Sequence, residues 1–302
     1  MFGFPMREVE MTADVCVVIP AYNAAKYIAE TLNSVLGQSL PPREIIVVDD
    51  GSTDNTSEVV SAISNKVKLI RTSNRGVSHA RNVGFEETQC KWVAFLDSDD
   101  IWNLNKIERI MHYSELNPGG HLFFSDFVTF GLQSKVVELG DSFRKWQERR
   151  NLLLSPIVCV LPSAAVVSRE TLARFPEWAG NDNEDTIYFN DVAENGRVIH
   201  VPEVLVRYRK HPTSAQKKTG SGERAGVNML KRYTVNSKDK RLFLETLFEL
   251  IRERRSSRRW NDFDIWSQLI LDNWTGDFAT AMRVYWLRIS KQIVLIKDRL
   301  FP

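Results

Sequence analysis

What most constrains this chain is the alternation in its first hundred residues. Val15–Ile19 (VCVVI), Ile45–Val48, Val67–Ile70 and Trp92–Leu96 (WVAFL) are short, mostly apolar runs. Runs of this length read as strands buried on both faces. Between them, Ile28, Leu32, Val35 and Leu36 recur at helical spacing, with Asn23 placed to cap that helix. Val59, Val60 and Ile63 mark a second helix opened by Thr53 or Asp54, and Val77–Glu87 a third. Strands alternating with helices imply βαβ units and a mainly parallel, Rossmann-like α/β sheet. Right-handed crossovers then line up the strand C-termini along one edge, where open α/β sheets bind ligands. Three of these ends carry polar residues: Pro20–Asn23, Asp49–Asp54 and Asp97–Asp100.

The pattern changes after about Gly119. His121–Phe130 and Lys135–Leu139 read as strands joined by a turn at Gly131, and Arg144–Leu154 reads as a helix. Ala164–Val167, Val198–Val201 and Val204–Tyr208 read as further short strands, which brings an antiparallel component. From about Ser214 the chain turns polar and basic, with Gly220, Gly222 and Gly226, and the rest reads as helical. The expected division is a domain over 1–215, with halves 1–119 and 120–215, and a basic helical region over 216–302.

Charge follows the same division. The net charge of the 302 residues is only +2, which points to no polyanion partner for the whole chain. Yet Leu205–Trp260 holds 16 Lys/Arg against 5 Asp/Glu, while Met1–Val204 holds 19 against 28. An acidic body with a basic segment suggests an anionic surface as partner. At the end of the chain Met282, Trp286, Ile289, Ile293, Ile296 and Leu300 form an apolar stripe flanked by Arg283, Arg288, Lys291, Lys297 and Arg299. That stripe fits an interfacial helix on an anionic membrane and equally a helix packed on the body. The run Arg252–Arg259 favours the membrane. No nucleic-acid-binding fold is recognisable.

Cys16, Cys90 and Cys159 are odd in number and lie in or beside apolar runs, as buried free thiols in a reducing compartment do. The N-terminus has no basic segment followed by an apolar run, and the apolar stretch Leu152–Val167 holds Pro156 and Pro162 and is too short to span a bilayer. The expectation is a cytoplasmic protein without a membrane-spanning helix, with peripheral contact on the inner membrane face as the reading of its basic segment.

Chemistry concentrates in four motifs. FLDSDD (Phe95–Asp100) delivers Asp97, Asp99 and Asp100 at the end of an apolar strand. Three carboxylates so close repel one another, and a divalent cation such as Mg²⁺ or Mn²⁺ relieves the repulsion. An N-cap cluster for a helix around Trp102–Tyr113 is the alternative. In VVDDGSTDNT (Val47–Thr56), Asp50 can accept a hydrogen bond from the imide N–H of a uracil or thymine ring, or the stretch is simply a turn built from good turn formers. In NRGVSHARN (Asn74–Asn82), Arg81 can reach a phosphate or ribose, or belongs to a surface helix. In NDNEDTIYF (Asn181–Phe189), Glu184 and Asp185 are candidates for a general base, or acids enriched in a helix's first turn.

Together and in order, VIPAYNAAKYIAETLNSVLGQ, IIVVDDGSTDNT, NRGVSHARNVG, VAFLDSDDIW, the Glu184–Asp185 pair and PEVLVRYRKHPTSA resemble the family-2 glycosyltransferases of the GT-A fold, over roughly Val15–Ala215. The resemblance implies that Pro20, Ala21 and Tyr22 line a nucleoside site and Asp50 contacts the base. Arg81 would lie near the nucleotide, and Asp97-Ser98-Asp99 would be a DxD motif whose Asp97 and Asp99 meet a Mn²⁺ or Mg²⁺ ion. Asp185 would be the catalytic base, and His211 would approach the metal or the diphosphate. The implied reaction is inverting transfer of one sugar from a nucleotide-diphosphate donor, a UDP-sugar favoured, to a hydroxyl, with a lipid-linked saccharide among the acceptors it admits. RFPEWAGNDNED departs from the Gly-Phe-Asp-Glu-like stretch usual before the acidic pair, and the Trp signature of processive synthases is absent after it. The rivals are a non-catalytic nucleotide-sugar-binding subunit and a nucleotidyltransferase. The latter would need a Gly-rich basic loop where PAYNAAKYI stands.

Overall fold

The computed structural model describes residues 12–149, 160–179 and 184–212. The chain divides into two compact units, Met1–Phe143 with Ile157–Ser214, and Arg144–Pro156 with Ala215–Pro302. Every candidate site residue belongs to the first. The expected helical region over 216–302, its apolar stripe and the basic run Arg252–Arg259 lie outside the described residues.

The first half follows the alternation. Strands β1 (Ala13–Ala21), β2 (Pro42–Asp49), β3 (Val67–Arg71) and β4 (Trp92–Phe95) alternate with helices α1 (Ile28–Leu36), α2 (Thr56–Ile63) and α3 (Val77–Glu86). β1 pairs in parallel with both β2 and β4, and β2 with β3. The apolar runs of β1, β2 and β4 are buried on both faces because central parallel strands are covered on both sides, whereas Val67–Ile70 in β3, expected to be buried likewise, is half-buried with Lys68 exposed because β3 is the sheet's edge. The chain steps outward from β1 to β3, then returns to β4 on the other side of β1. Right-handed crossovers therefore put α1 and α2 on one face and α3 on the other. α3 lies so close to the sheet that a Cβ on Gly84 would collide with Val18.

The second half contains β5 (Ile101–Trp102), α4 (Lys106–Leu116), β6 (Gly120–Gly131), β7 (Lys135–Val137), α5 (Gly140–Arg149), β8 (Ala165–Ser168), α6 (Glu184–Asn195) and β9 (Arg197–Lys210). The sheet order is β3-β2-β1-β4-β8-β6-β9-β5, with β7 beside β6. β8 is antiparallel to β4 and β6, while β6 and β9 are parallel. This is the mixed α/β sheet expected, parallel on the first side and with antiparallel strands inserted on the second.

Four local expectations are corrected. Asn23 does not cap α1. It sits at φ 51°, and its side-chain oxygen accepts the N–H groups of Thr53 at 2.9 Å and Asp54 at 3.3 Å, tying the loop after β1 to the loop after β2. α2 starts at Thr56, where Asp54 accepts the Thr56 N–H at 3.1 Å. The helix expected from Trp102 starts at Lys106, because Ile101 and Trp102 pair with β9. The Asp97–Asp100 cluster is therefore not its cap. The two strands expected over 198–208 are one, β9, with a register shift against β6 between Val201 and Val204. Pro202 has no N–H to give the ladder, so the strand bulges there instead of ending.

Cys16 and Cys90 are buried free thiols, and burial pushes the Cys16 thiol up to about 12. Cys159 lies outside the described residues. Among the described residues no helix is long and apolar enough to cross a membrane.

Candidate active site

β1, β2 and β4 end side by side, so their loops share one edge. Pro20 and Ala21 are buried at the end of β1, and Tyr22 beyond them is exposed. The Ala21 carbonyl accepts the Asp50 N–H at 2.8 Å, which brings the first two loops together. Asp49 and Asp50 are buried and hydrogen-bonded. Asp49 accepts the Ser52 N–H at 2.8 Å and the Ser57 hydroxyl. Burial works to raise its pKa, but the bonds from Ser52 and Ser57 win and hold it below the usual carboxylate range. Asp50 accepts the Thr72 hydroxyl and the Arg75 N–H on one oxygen, at 2.8 and 3.0 Å, and the Gly76 N–H on the other at 2.6 Å. It thus shapes the 72–76 segment, and its second oxygen keeps a lone pair for one further donor. Gly51 takes φ +74°, and a Cβ there would press on Asn74 N at 2.8 Å.

The loop after β4 behaves differently. Asp99 is pushed up by burial and by the like charge of Asp97, with the hydrogen bond from His211 opposing. Asp100 is fully buried and pushed well up by burial and then by Asp99 and Asp97. Its carboxylate turns into the fold, so the expected three-carboxylate cluster reduces to two outward groups, Asp97 and Asp99. Ser98, half-buried, places its carbonyl 2.9 Å from the Thr31 hydroxyl that donates to it.

Arg81 is no surface residue. It is 3% exposed, donates to Asp97 Oδ1 at 2.8 Å and to Glu184 Oε1 at 3.0 Å, and lies 4.9 Å from the Phe175 ring. The side chain expected to reach for phosphate or ribose is taken up by two carboxylates. It joins the loop after β4 to the first turn of α6, where Glu184 and Asp185 stand. Burial raises the Asp185 pKa, while Arg81 and the Thr186 N–H at 2.6 Å oppose it. A carboxylate so raised is a better proton acceptor than an ordinary one. Phe175, stacked on Tyr188 of α6 at 3.9 Å, is pinned to α3 by Asn82, which bonds both its N–H and its carbonyl.

The end of β9 closes the edge. His211 Nε2 lies 2.7 Å from Asp99 Oδ2, and its ring lies 5.2 Å from that of Tyr27. Arg209, which motif reading passed over, donates from Nε to the Asp99 carbonyl at 2.7 Å and spans to Glu30 at 2.5 Å. Ser163, also passed over, touches the same loop. No local pattern marks either residue, because both act across more than sixty residues of sequence. Among the described residues no three His, Cys, Asp or Glu side chains converge as a closed metal cage. Asp99 and His211 present two ligating atoms side by side, which suits a hard cation completed by phosphate oxygens and water.

Comparison with known proteins gives the family. The family model of glycosyl transferase family 2 matches residues 16–174. A glycosyltransferase of Haemophilus influenzae is 39% identical over 215 residues, 67% of this chain and 82% of its own. Another, of Nostoc sp., is 29% identical over 72% of this chain and 74% of its own. Among solved structures, Staphylococcus aureus TarS 1–349 in complex with UDP superposes with a TM-score of 0.61 at 21% identity, over 90% of this chain and 82% of that one. The strand-end loops, the α3 motif and the acidic loop after β4 all fall inside the matched span, and so the chain belongs to glycosyl transferase family 2.

Proposed function

We propose that this glycosyltransferase moves a single sugar from a nucleoside-diphosphate donor, a UDP-sugar, to a hydroxyl acceptor with inversion at the anomeric carbon. The observation that carries the reading is the Arg81 bridge. It holds the loop of Asp97 and Asp99 against the helix turn of Asp185, so one buried cation links a phosphate-side loop to a base. The UDP preference draws on the spare acceptor of Asp50 beside Tyr22, and on a TarS structure in complex with UDP-GlcNAc, TM-score 0.56. A role in surface polysaccharide or glycolipid synthesis draws on Bacillus subtilis TuaG, named for teichuronic acid biosynthesis. It is 42% identical over 103 residues, 33% of this chain and 41% of its own.

In the reaction, Asp185 accepts the proton of the acceptor hydroxyl as its oxygen bonds to the anomeric carbon. The bond from that carbon to the diphosphate breaks on the opposite face and its electron pair leaves with the nucleotide. Asp99 and His211, with Asp97 beside them, would hold Mn²⁺ or Mg²⁺. Such an ion, when bound, neutralises charge on the leaving diphosphate. Arg81 keeps the two carboxylate groups at fixed separation, and its own pKa is pushed further up by Asp97 and Glu184 against the effect of burial.

Calorimetry with UDP and Mn²⁺, beside turnover, tests the assignment. Asp99→Ala should lose metal-dependent UDP binding and stay folded. Asp185→Asn should keep donor affinity within a few-fold and lose at least about 10² in turnover. Unchanged metal-dependent binding in Asp99→Ala, or loss of turnover in Glu184→Gln but not in Asp185→Asn, overturns it. The basic 205–260 segment supports peripheral contact with anionic membranes, each basic residue adding about 1 kcal/mol. Flotation with liposomes should rise with anionic lipid and fall with salt, and no flotation at any charge rejects the contact.

A further inference from the structure

Asp100 is the acid of the 97–100 loop that the proposed chemistry leaves unused, and its surroundings are unusually complete. Its Oδ2 accepts the Ser163 hydroxyl at 2.6 Å and its Oδ1 accepts the Arg209 N–H at 2.8 Å. The Ser163 oxygen also accepts the Asp97 N–H at 3.0 Å, so one fully buried hydroxyl joins the first and last residues of the loop. On the other side, Thr31 donates to the Asp100 carbonyl at 2.8 Å. The turn that carries Ser163 is itself fixed: its carbonyl accepts Trp102 Nε1 at 2.8 Å, and the next carbonyl, of Ala164, accepts Lys106 Nζ at 3.1 Å.

Asp100 therefore grips two segments remote in sequence, the turn at Ser163 and the end of β9. Two residues beyond Arg209 on β9 stands His211, and one residue before Asp100 stands Asp99. Whatever fixes Asp100 against Arg209 fixes Asp99 against His211. A loop free to turn would let Asp99 and Asp97 relax apart, since like charges gain by separating. We propose that Ser163 is a positioning residue for the donor site. With Asp100 it clamps the 97–100 loop to the end of β9 and sets the spacing of Asp99 and His211. This rests on the reading of Asp99 and His211 as the metal and diphosphate side of the site. The role needs a hydrogen-bonding group at Asp100, not its charge.

The test measures UDP binding by calorimetry, with and without Mn²⁺, on the full chain, beside a thermal melt. Ser163→Ala should stay folded, bind UDP without metal as the parent does, and lose metal-dependent affinity by about 10- to 100-fold, the usual cost of removing an outer partner of a metal ligand. The Mn²⁺ concentration giving half-maximal turnover should rise by the same factor. Asp100→Asn retains a donor and an acceptor where Ser163 and Arg209 lie, so it should stay within a few-fold of the parent, whereas Asp99→Asn should not. If Ser163→Ala does not fold, Ser163→Cys keeps the volume and weakens both bonds, and it should show the same loss. Parental metal-dependent binding in a folded Ser163→Ala or Ser163→Cys, with that binding lost in Asp99→Ala, overturns the clamp alone. Parental binding in Asp99→Ala overturns the clamp and the site reading together.

Discussion

The two acidic loops at neighbouring strand ends use one residue type for opposite purposes. In the loop after β2, Asp49 and Asp50 are ringed by hydroxyl and N–H donors, and Asp49 is held ionised below the usual range. In the loop after β4, Asp99 and Asp100 are pushed the other way by burial, and then Asp99 by Asp97 and Asp100 by both of them. The first loop spends its charge on building local structure. The second keeps charge that its own backbone does not satisfy, and draws on Arg81 and His211 from elsewhere. Satisfied carboxylates mark a scaffold, and mutually repelling ones mark the place where a cation or a proton is exchanged.

The most severe way to break this contrast is to remove the cation that serves the second loop. Arg81→Met leaves Asp97 and Glu184 without their shared partner, and breaking a buried ion pair from one side costs about 3–5 kcal/mol. Turnover should fall by at least about 10², because Asp185 loses its fixed neighbour. Urea unfolding with parallel assays reads both, and a variant with parental stability and turnover would refute the bridge.

Next comes the scaffold loop. Asp49→Ala orphans the Ser52 N–H and the Ser57 hydroxyl and should cost about 2–3 kcal/mol at neutral pH. The sign follows from a depressed pKa. The contribution of Asp49 is present above the ordinary carboxylate range and is lost as pH falls through its folded value. Denaturant curves should therefore show parent and variant converging in acid. A constant difference down to about pH 3 would contradict the hydrogen-bond origin of the shift.

The smallest effect lies behind the second loop. Burial pushes the Lys106 ammonium down to about 7. In the window from there to its ordinary value, the unfolded chain binds the extra proton. The parent should therefore gain stability as pH rises, by at most about 1.4 kcal/mol per pH unit. Lys106→Met preserves volume and should lie within about 1.5 kcal/mol of the parent at pH 7, without that slope. Melting both proteins from neutral to alkaline pH decides it, and identical slopes would mean that Lys106 stays solvated.

How much of this was legible in sequence differs between the same two loops. The periodicity that names β1 to β4 also places both loops at one edge, because strand ends and crossover handedness are local consequences of pattern. The roles of Asp49 and Asp50 rest on donors from Ser52 to Gly76, within a few dozen residues. Asp100 looked equivalent to Asp97 and Asp99 in FLDSDD. Only Ser163 and Arg209, delivered by β8's approach and by β9, turn it inward. Arg81 resembled a surface residue because α3 shows its buried face only once Phe175 and Glu184 pack on it. Asn23 carried a capping signal that a tertiary contact overrode.

The pairing of β6 with β9, in which Phe123 lies beside Ile199, also bears on how the molecule comes into being. Chains emerge from the ribosome N-terminus first, so elements early in the sequence are available for pairing first. β1 and β4 pair across as long a stretch, Val15 beside Trp92, but that set of strands is the first to be made. Two partners of the second acidic loop, Arg209 and His211, arrive only with the end of β9. A nascent chain of this protein thus has the β1–β4 edge in hand before the end of β9, where Arg209 meets Asp100 and His211 meets Asp99, has been made.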